Sequence, residues 1–303
     1  MASTIRAAGV VLLRRSRRGI EVCILHRPRH NDWSLPKGKV EGDEHLTETA
    51  RRETVEETGS EVALGPMLPG QRYRVEGRLK TVGYWLGQAR PGGPGFKSNR
   101  EIDQIEWVTP GRAKARLTYG RDRELVDIAA AMPETSPLIV LRHTEAVKRS
   151  DYKGKDDTKR PLNQRGRSQA KRLVDLLLAF GITEVRSSDS ARCVETVTPV
   201  AKALGTKVIE EPLLSEEAYA ARPKSSVRQI LRHARDSAPM VVCSHRPLLP
   251  EILNALGSHF DIKGGQAALK KPMAPGCYIV FHRELTPRGR VTGKVLGIER
   301  YDA

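Results

Sequence analysis

The sequence has few cysteines, and no two of them lie close together in the chain. They are Cys23, Cys193, Cys243 and Cys277, in a total of 303 residues. Because no CxxC spacing is present, neither a cysteine-based zinc motif nor a dithiol redox motif is predicted. All four stand among apolar neighbours or in a predicted helix, so we interpret them as buried thiols in a reducing compartment.

Long apolar runs are missing as well. The longest runs, such as Leu138 to Leu141, are far too short to span a bilayer. Residues 1–14 lack the apolar core and the cleavage site of a signal peptide. The sequence therefore predicts a soluble cytoplasmic protein with no membrane partner.

Length and charge set the broad class of the protein. A chain of 303 residues predicts about two domains, and 39% hydrophobic residues are enough for packed cores. The net charge of +16 permits binding to polyanions. The tightest basic cluster lies in a predicted turn before Ile20, and it consists of Arg14, Arg15, Arg17 and Arg18. Basic charge alone does not choose among nucleic acid, membrane surfaces and phosphorylated small molecules.

The first half of the chain mixes strand and helix patterns. Apolar periodicity predicts strands at 5–14, 20–27, 71–75, 79–88 and 104–108, and helices at 44–58 and 121–132. Glycine and proline mark residues 32–43 and 91–94 as loops.

The second half alternates strands with helices, which predicts a mostly parallel sheet. The predicted strands are 138–141, 183–187, 207–210, 240–243 and two in 276–299, and the predicted helices are 164–180, 190–204, 224–235 and one beginning near 248. A polar break with two prolines at 133–137 separates this half from the first. We therefore predict domains at 1–134 and 135–303.

Three glutamates share one face of the first predicted helix. Glu53, Glu56 and Glu57 are spaced i, i+3 and i+4. Three carboxylates on one face repel each other, and a hard divalent cation with oxygen ligands would neutralise them. Arg52 precedes them and is suited either to orient a carboxylate or to contact a phosphate. Taken alone, three glutamates are more typical of a solvated helix face than of a metal site.

The segment around these glutamates resembles the Nudix box, a pattern of seven fixed residues. The matching residues are Gly38, Glu44, Arg52, Glu53, Glu56, Glu57 and Gly59. Thr54 and Ser60 stand where the box prefers aliphatic residues, which affects local packing rather than chemistry. The resemblance covers about residues 1–132 and implies an α/β/α sandwich with a mixed sheet.

The Nudix resemblance also implies site residues. The implied metal is Mg²⁺, with Mn²⁺ as an alternative, and its implied ligands are Glu53, Glu56, Glu57, a backbone carbonyl near Lys37, and Glu101 from a later loop, with Asp103 behind it. Glu56 and Glu57 would take part in catalysis. The residues expected to bind the substrate phosphates in this half are Lys37, Lys39 and Arg52.

Arginine and histidine side chains follow three strands of the second half. Arg142 and His143 follow the first strand, Arg192 follows a second and His245 follows a third. The carboxyl ends of parallel strands share one edge of a sheet, where ligands bind. Two guanidinium groups and two imidazoles at this edge would suit a phosphoryl group.

This arrangement resembles the histidine phosphatase superfamily, and residues 159–167, which include Arg160, are similar to its short SixA-like branch. The resemblance spans about residues 137–303 and implies a mostly parallel three-layer α/β domain. It implies that His143 is the nucleophile, that Arg142, Arg192 and His245 hold the phosphoryl oxygens, and that Arg160 binds substrate. Glu216, chosen over Glu217 by a narrow margin, would protonate the leaving group. The family commonly has glycine where Thr144 stands.

The two resemblances together match a bacterial architecture of MutT-type enzymes that remove oxidised guanine nucleotides. We therefore expect a nucleoside polyphosphate as the ligand, with 8-oxo-dGTP or 8-oxo-GTP preferred, and no nucleic acid. A diadenosine polyphosphate hydrolase is the nearest alternative. An RNA-binding or regulatory protein with a degenerate phosphatase half is an alternative of another class. Self-association and contacts between the domains stay open.

Overall fold

The computed structural model describes residues 4–16, 19–262 and 266–302. The chain divides into two compact units, Met1–Met132 and Pro133–Ala303. Arg17 and Arg18 of the predicted basic turn lie outside the described residues. In the part of the chain that is described, no helix is long and apolar enough to cross a membrane.

The first unit is built on one mixed sheet of seven strands. The strands are β1 (Ile5–Ser16), β2 (Gly19–Arg27), β3 (Asp32–Ser34), β4 (Lys37–Lys39), β5 (Glu61–Val75), β6 (Arg78–Arg90) and β7 (Gln104–Val108). Five of them run in the order β3-β2-β1-β6-β5, while β4 pairs with β1 and β7 pairs with β2. Only β1 and β6 are parallel among these pairs.

Helices cover this sheet to give the predicted α/β/α sandwich. They are α1 (Leu46–Thr58), α2 (Pro110–Arg116) and α3 (Gly120–Ala131). The apolar side of α3 contributes Leu125, Val126 and Ala129 to a core shared with Val11 and Tyr84 of the central strands. Burial of this apolar surface is the main stabilising contribution to the unit.

The second unit has a six-stranded sheet flanked by helices. Its strands are β8 (Thr135–Arg142), β9 (Glu184–Ser187), β10 (Val208–Glu210), β11 (Met240–Ser244), β12 (Tyr278–Leu285) and β13 (Val291–Tyr301). The order is β10-β9-β11-β8-β12-β13. The first four strands are parallel and the last two are antiparallel, so the prediction of a mostly parallel sheet is confirmed.

Among the residues that the structure describes in this unit, six helices connect and cover these strands. They are α4 (Gln164–Leu178), α5 (Ala191–Ala203), α6 (Glu216–Ala221), α7 (Pro223–Arg235), α8 (Leu249–His259) and α9 (Gln266–Lys270). In the parallel part of the sheet, β8, β9 and β11 all end at one edge, as the sequence predicts. This edge carries the candidate site of the second unit.

Several element boundaries differ from the sequence prediction. Strand β5 begins at Glu61, ten residues before its predicted start. Its pairing with β6 shifts register between Leu64 and Met67 and again between Leu68 and Gln71, and these shifts interrupt the alternation from which a strand is predicted. The glycines and prolines at these interruptions hide the strand periodicity. The predicted loop 32–43 contains the short strands β3 and β4. Strand β8 begins at Thr135, so the polar break is shorter than predicted.

Candidate active sites

Helix α1 carries the three predicted glutamates and is capped at both ends. At its start, the Glu48 carboxylate accepts a hydrogen bond from the His45 amide at 2.7 Å. At its end, Gly59 adopts a left-handed conformation (φ 66°) and its amide donates to the Val55 carbonyl at 2.8 Å. The glutamate side chains differ in burial. Glu57 is buried, Glu53 is partly buried, and 57% of the Glu56 side chain is exposed.

Arg52 organises the carboxylates around it. Its Nε and Nη2 donate to the two oxygens of Glu44 at 2.7 and 3.0 Å, and its Nη1 donates to Glu53 and Glu56, both at 3.0 Å. Nη2 also donates to the Lys39 carbonyl at 3.0 Å. All five N–H donors of the guanidinium are therefore used within the chain. Of the two roles predicted for Arg52, this geometry favours orientation of carboxylates over phosphate contact.

Lys37 and Glu57 form a buried pair behind this network. The Lys37 amide donates to Glu57 Oε2 at 2.8 Å, while the Lys37 ammonium donates to the Ser34 hydroxyl at 3.2 Å. Burial raises the pKa of Glu57 to about 8. Burial, with the nearby charge of Arg27, lowers the pKa of Lys37 to about 8. The Lys37 side chain is thus an interior group, whereas Lys39 is exposed and accessible to a substrate phosphate.

Gly38 is required by a close approach between backbone and carboxylate. A Cβ atom at this position would lie 1.8 Å from the carboxyl carbon of Glu53 and about as close to both of its oxygens. No side chain fits in that space. The strand β4 therefore brings main-chain atoms directly against the carboxylate helix, as the glycine in the box predicts.

Glu101 and Asp103 lie on a loop near the helix. The Glu101 amide donates to Asn99 Oδ1 at 2.8 Å, and the Glu101 side chain is exposed. Burial raises the pKa of Glu53, and the charges of Glu56 and Glu101 add to this shift. The Asp103 carboxylate is hydrogen-bonded to the His26 ring instead, with 2.7 Å between Oδ1 and Nδ1. Glu101 is thus the loop carboxylate within electrostatic reach of α1.

The donor set at α1 fits a hard divalent cation, although no ligand shell is already assembled. Within residues 4–16, 19–262 and 266–302, no group of three acidic, histidine or cysteine side chains lies close enough to hold a metal ion. Glu53 and Glu56 are instead paired with Arg52. Burial favours the protonated form of Glu53 and Glu57, and a divalent cation would supply the positive charge that keeps both carboxylates ionised.

A buried polar group beside this site was not predicted from the sequence. Gln71 Nε2 donates to Asp122 Oδ1 at 3.0 Å. In the described part of the chain, Gln71 Oε1, Asp122 Oδ2 and the Tyr84 hydroxyl are buried without a hydrogen-bond partner. The sequence does hold a signal for the burial of Asp122, because this residue lies three positions before Leu125 and so shares the core-facing side of α3.

In the second unit, His143 directly follows β8, and a hydrogen bond orients its ring. Its Nδ1 donates to the Thr144 carbonyl at 2.7 Å, which leaves the lone pair on Nε2. Burial lowers the pKa of His143 to about 3, and Arg192 and Arg142 contribute to this shift. The imidazole is therefore neutral at physiological pH, which is the state that a nucleophile requires.

Arg192, Glu216 and His245 converge beside His143. The Arg192 side chain is fully buried, and its Nη2 lies 3.2 Å from Glu216 Oε1. His245 lies 3.5 Å from the same carboxylate through Nδ1 and 2.8 Å from the Ser188 hydroxyl through Nε2. The rings of His143 and His245 are 5.5 Å apart. Burial lowers the pKa of His245 to about 2, so it too is neutral.

Asp157 links the arginines of this site and was not predicted. Its carboxylate accepts hydrogen bonds from Arg149 at 2.8 Å and from Arg160 at 2.8 Å, and it lies 3.4 Å from Arg192. The Arg149 and Arg160 guanidinium groups hold the pKa of Asp157 well below its usual range. Arg142 donates to the Met273 carbonyl at 2.6 Å. The structure thus brings all five predicted residues of this site, and Arg160, into one cluster.

Comparison with known proteins agrees with this division of the chain. Residues 3–127 match the NUDIX domain family, and residues 138–239 match the histidine phosphatase superfamily (branch 1). The 8-oxo-(d)GTP phosphatase of Mycolicibacterium smegmatis is 40% identical over 260 residues, which cover 82% of this chain and 80% of that protein. The asymmetrical bis(5'-nucleosyl)-tetraphosphatase of Mus musculus is 31% identical over 115 residues, 34% of this chain and 78% of that protein.

Solved structures are similar to parts of this chain. An Ap4A hydrolase binary complex from C. elegans is similar with a TM-score of 0.37 and 25% identity, covering 41% of this chain and 93% of that one. A SixA structure from Agrobacterium tumefaciens is similar with a TM-score of 0.41 and 18% identity, covering 54% of this chain and 97% of that one. Nudix hydrolases generally use divalent metal ions and act on nucleoside polyphosphates. The chain belongs to the Nudix hydrolases that carry a C-terminal histidine phosphatase domain.

Proposed function

We propose that the first unit is a Mg²⁺-dependent hydrolase of oxidised guanine nucleotides, 8-oxo-dGTP and 8-oxo-GTP, and that the second unit is a phosphatase acting through a phosphohistidine. The observation that supports this choice of substrate is the 40% identity to an 8-oxo-(d)GTP phosphatase, because the matched region extends over 82% of the chain. The two clusters of phosphate-handling residues support hydrolytic chemistry in both units.

In the first unit, the chain supplies carboxylates that are held in place by Arg52. Glu53, Glu56 and Glu57 would hold Mg²⁺, or Mn²⁺ as an alternative, with Glu101 as a further ligand. The bound cation supplies charge neutralisation at the phosphates and a water of lowered pKa. Glu57, which is buried and accepts a hydrogen bond from the Lys37 amide, would accept a proton from an attacking water.

The remaining residues of the first site would bind the substrate phosphates or hold the carboxylates in place. The exposed Lys39 meets a phosphate oxygen, and Lys37 provides backbone beside the carboxylates. Arg52 keeps Glu53 and Glu56 at a fixed distance from β4 through its bond to the Lys39 carbonyl. A preorganised set of charges of this kind lowers the barrier because little rearrangement is needed in the transition state.

In the second unit, His143 Nε2 would attack the terminal phosphorus of a phosphate ester or anhydride. Arg142, Arg192 and His245 would hold the phosphoryl oxygens, where charge develops in the transition state. Glu216, which contacts both Arg192 and His245, would deliver a proton to the leaving oxygen. Water then releases phosphate from the phosphohistidine.

A second candidate substrate for the first unit is a diadenosine polyphosphate. The tetraphosphatases of Mus musculus and Rattus norvegicus are 31% and 32% identical over 115 residues. This similarity covers 34% of the chain, against 82% for the 8-oxo-(d)GTP phosphatase, so it supports the second candidate less than the first. It supports the same cleavage chemistry on a different nucleotide.

A substrate panel with products identified by mass spectrometry tests this proposal. The panel contains 8-oxo-dGTP, 8-oxo-GTP, dGTP and diadenosine tetraphosphate, each with Mg²⁺. We expect the largest kcat/KM for the two oxidised nucleotides. A larger kcat/KM for diadenosine tetraphosphate would favour the second candidate, and no turnover of any of the four would reject both.

A further inference from the structure

A cleft of about 600 Å³ opens beside the second candidate site. Its floor is formed by the buried apolar side chains of Leu249, Leu253, Leu269 and Met273. Helices α8 and α9 form its sides, with the exposed Asn254 on the rim. A volume in the range of about 300–1,000 Å³ and an apolar floor are typical of sites that bind small organic molecules.

The cleft adjoins the phosphoryl-binding groups. The carbonyl of Met273, a cleft residue, accepts a hydrogen bond from Arg142 Nη1 at 2.6 Å. Arg246, also a cleft residue, directly follows His245, and its charge contributes to a lowered pKa of Arg142 after the larger effect of burial. Two residues of the cleft, Arg246 and Met273, are thus neighbours of the groups that would hold the phosphoryl oxygens.

Positive charge lines the mouth of the cleft. The cleft residues Arg246, Lys270 and Lys271 contribute it. Lys271 is paired with Asp302 at 2.7 Å, whereas within the described ranges Arg246 and Lys270 have no ion-pair partner. Arg300 donates to the carbonyls of Lys271 and Pro272 at 2.8 and 2.9 Å. This wall is thus held in place while two cations stay available to an anion.

We propose that this cleft binds the leaving group of the phosphatase reaction and that the substrate class is a nucleoside diphosphate. The inference rests on the proposed phosphatase function of His143. The base and sugar would lie on the apolar floor, and Arg246 and Lys270 would hold the α-phosphate. A simple phosphorylated metabolite would leave the apolar floor uncovered, so the combination of apolar floor and cationic mouth favours a nucleotide.

The reaction at this site balances as a hydrolysis. His143 Nε2 forms a bond to the β-phosphorus, and the bond from that phosphorus to the oxygen bridging the α-phosphate breaks. Glu216 gives its proton to the bridging oxygen, which leaves on the nucleoside monophosphate. Water then attacks the phosphohistidine, the N–P bond breaks and inorganic phosphate is released. The sum is nucleoside diphosphate plus water to nucleoside monophosphate plus phosphate.

The test compares two substrates in the full-length chain. kcat/KM is measured for GDP and for p-nitrophenyl phosphate, in excess chelator so that a metal-dependent reaction of the first unit does not contribute. Asn254→Trp fills the cleft, and Lys270→Ala removes one cation. We expect each to lower the ratio of kcat/KM for GDP to that for p-nitrophenyl phosphate by about ten-fold, the loss typical of one charge-assisted contact.

Matched controls are Lys207→Trp and Lys202→Ala, two exposed positions elsewhere in the second unit, which should keep the wild-type ratio. A wild-type ratio in folded Asn254→Trp and Lys270→Ala would overturn the cleft assignment. Turnover of p-nitrophenyl phosphate without turnover of GDP would overturn the nucleotide and favour another class, such as a phosphohistidine protein. If the wild type turns over neither substrate, the phosphatase proposal fails together with this inference.

Discussion

Arg52 and Glu44 form a two-point ion pair, with Nε–Oε1 at 2.7 Å and Nη2–Oε2 at 3.0 Å. The Arg52 guanidinium holds the pKa of Glu44 at about 2. The remaining donors of Arg52 reach Glu53, Glu56 and the Lys39 carbonyl. Glu44 therefore fixes the orientation of the arginine that fixes the candidate metal ligands.

Arg52→Lys tests this positioning role. Lysine has three donors on one nitrogen and cannot reproduce the two-point pair. We expect the Mg²⁺ concentration at half-maximal activity to rise by about 10–100-fold, as for other outer-shell partners of metal ligands. Arg51→Lys is the control, because Arg51 pairs with Glu61 instead. An increased nucleotide KM with an unchanged Mg²⁺ requirement would show that Arg52 contacts phosphate.

His143→Ala separates the two chemistries. The variant should lose phosphatase activity and keep hydrolysis at the first unit, because the two sites use different residues. Phosphorylation of the wild type with ³²P-labelled substrate should give an acid-labile, base-stable label at His143. His259→Ala is a histidine control outside the cluster. Unchanged phosphatase activity in His143→Ala would remove the nucleophile assignment.

The two units should fold independently. Fragments 1–132 and 133–303 follow the compact units, and the second fragment keeps Thr135, which pairs with Glu284. Each fragment should show cooperative thermal unfolding by circular dichroism, because each has its own buried core. A fragment that is soluble only when its partner is coexpressed would contradict this independence.

The stability of the second unit should fall as pH decreases below about 6.5. Burial lowers the pKa of His143 from 6.5 to about 3 and that of His245 to about 2. Between pH 6.5 and these values the unfolded chain binds protons that the folded chain does not, so acid favours unfolding. Well below pH 6.5, each histidine contributes about 1.4 kcal/mol per pH unit to the loss.

Urea unfolding of fragment 133–303 between pH 7.5 and 4 measures this dependence. Carboxylates also titrate in the lower part of the range, so the wild type is compared with His143→Asn. The substitution should remove the contribution of one histidine, about 1.4 kcal/mol per pH unit, from the pH dependence of the free energy of unfolding. Equal pH dependence in both proteins would show that His143 is not held neutral in the folded state.

The sequence predicted the relative placement of the candidate site residues better than the ends of the elements. Glu53, Glu56 and Glu57 share a face because helical spacing alone determines it, and His143 and His245 meet because parallel strands end at one edge. The start of β5 was predicted wrongly because register shifts interrupt its alternation. Asp157 could not be found in this way, since its contact with Arg192 depends on how a loop folds back.

The most direct test of the central claim is kcat/KM for 8-oxo-dGTP in wild type and Glu57→Gln, each with Mg²⁺ and with excess chelator. The substitution keeps the shape of the side chain and removes the charge that a cation needs. We expect a loss of at least about 100-fold in Glu57→Gln and a comparable loss in chelator, with Glu124→Gln, an exposed position on α3, as control. Full activity of the wild type in chelator, or of Glu57→Gln with Mg²⁺, would contradict metal-dependent hydrolysis at helix α1.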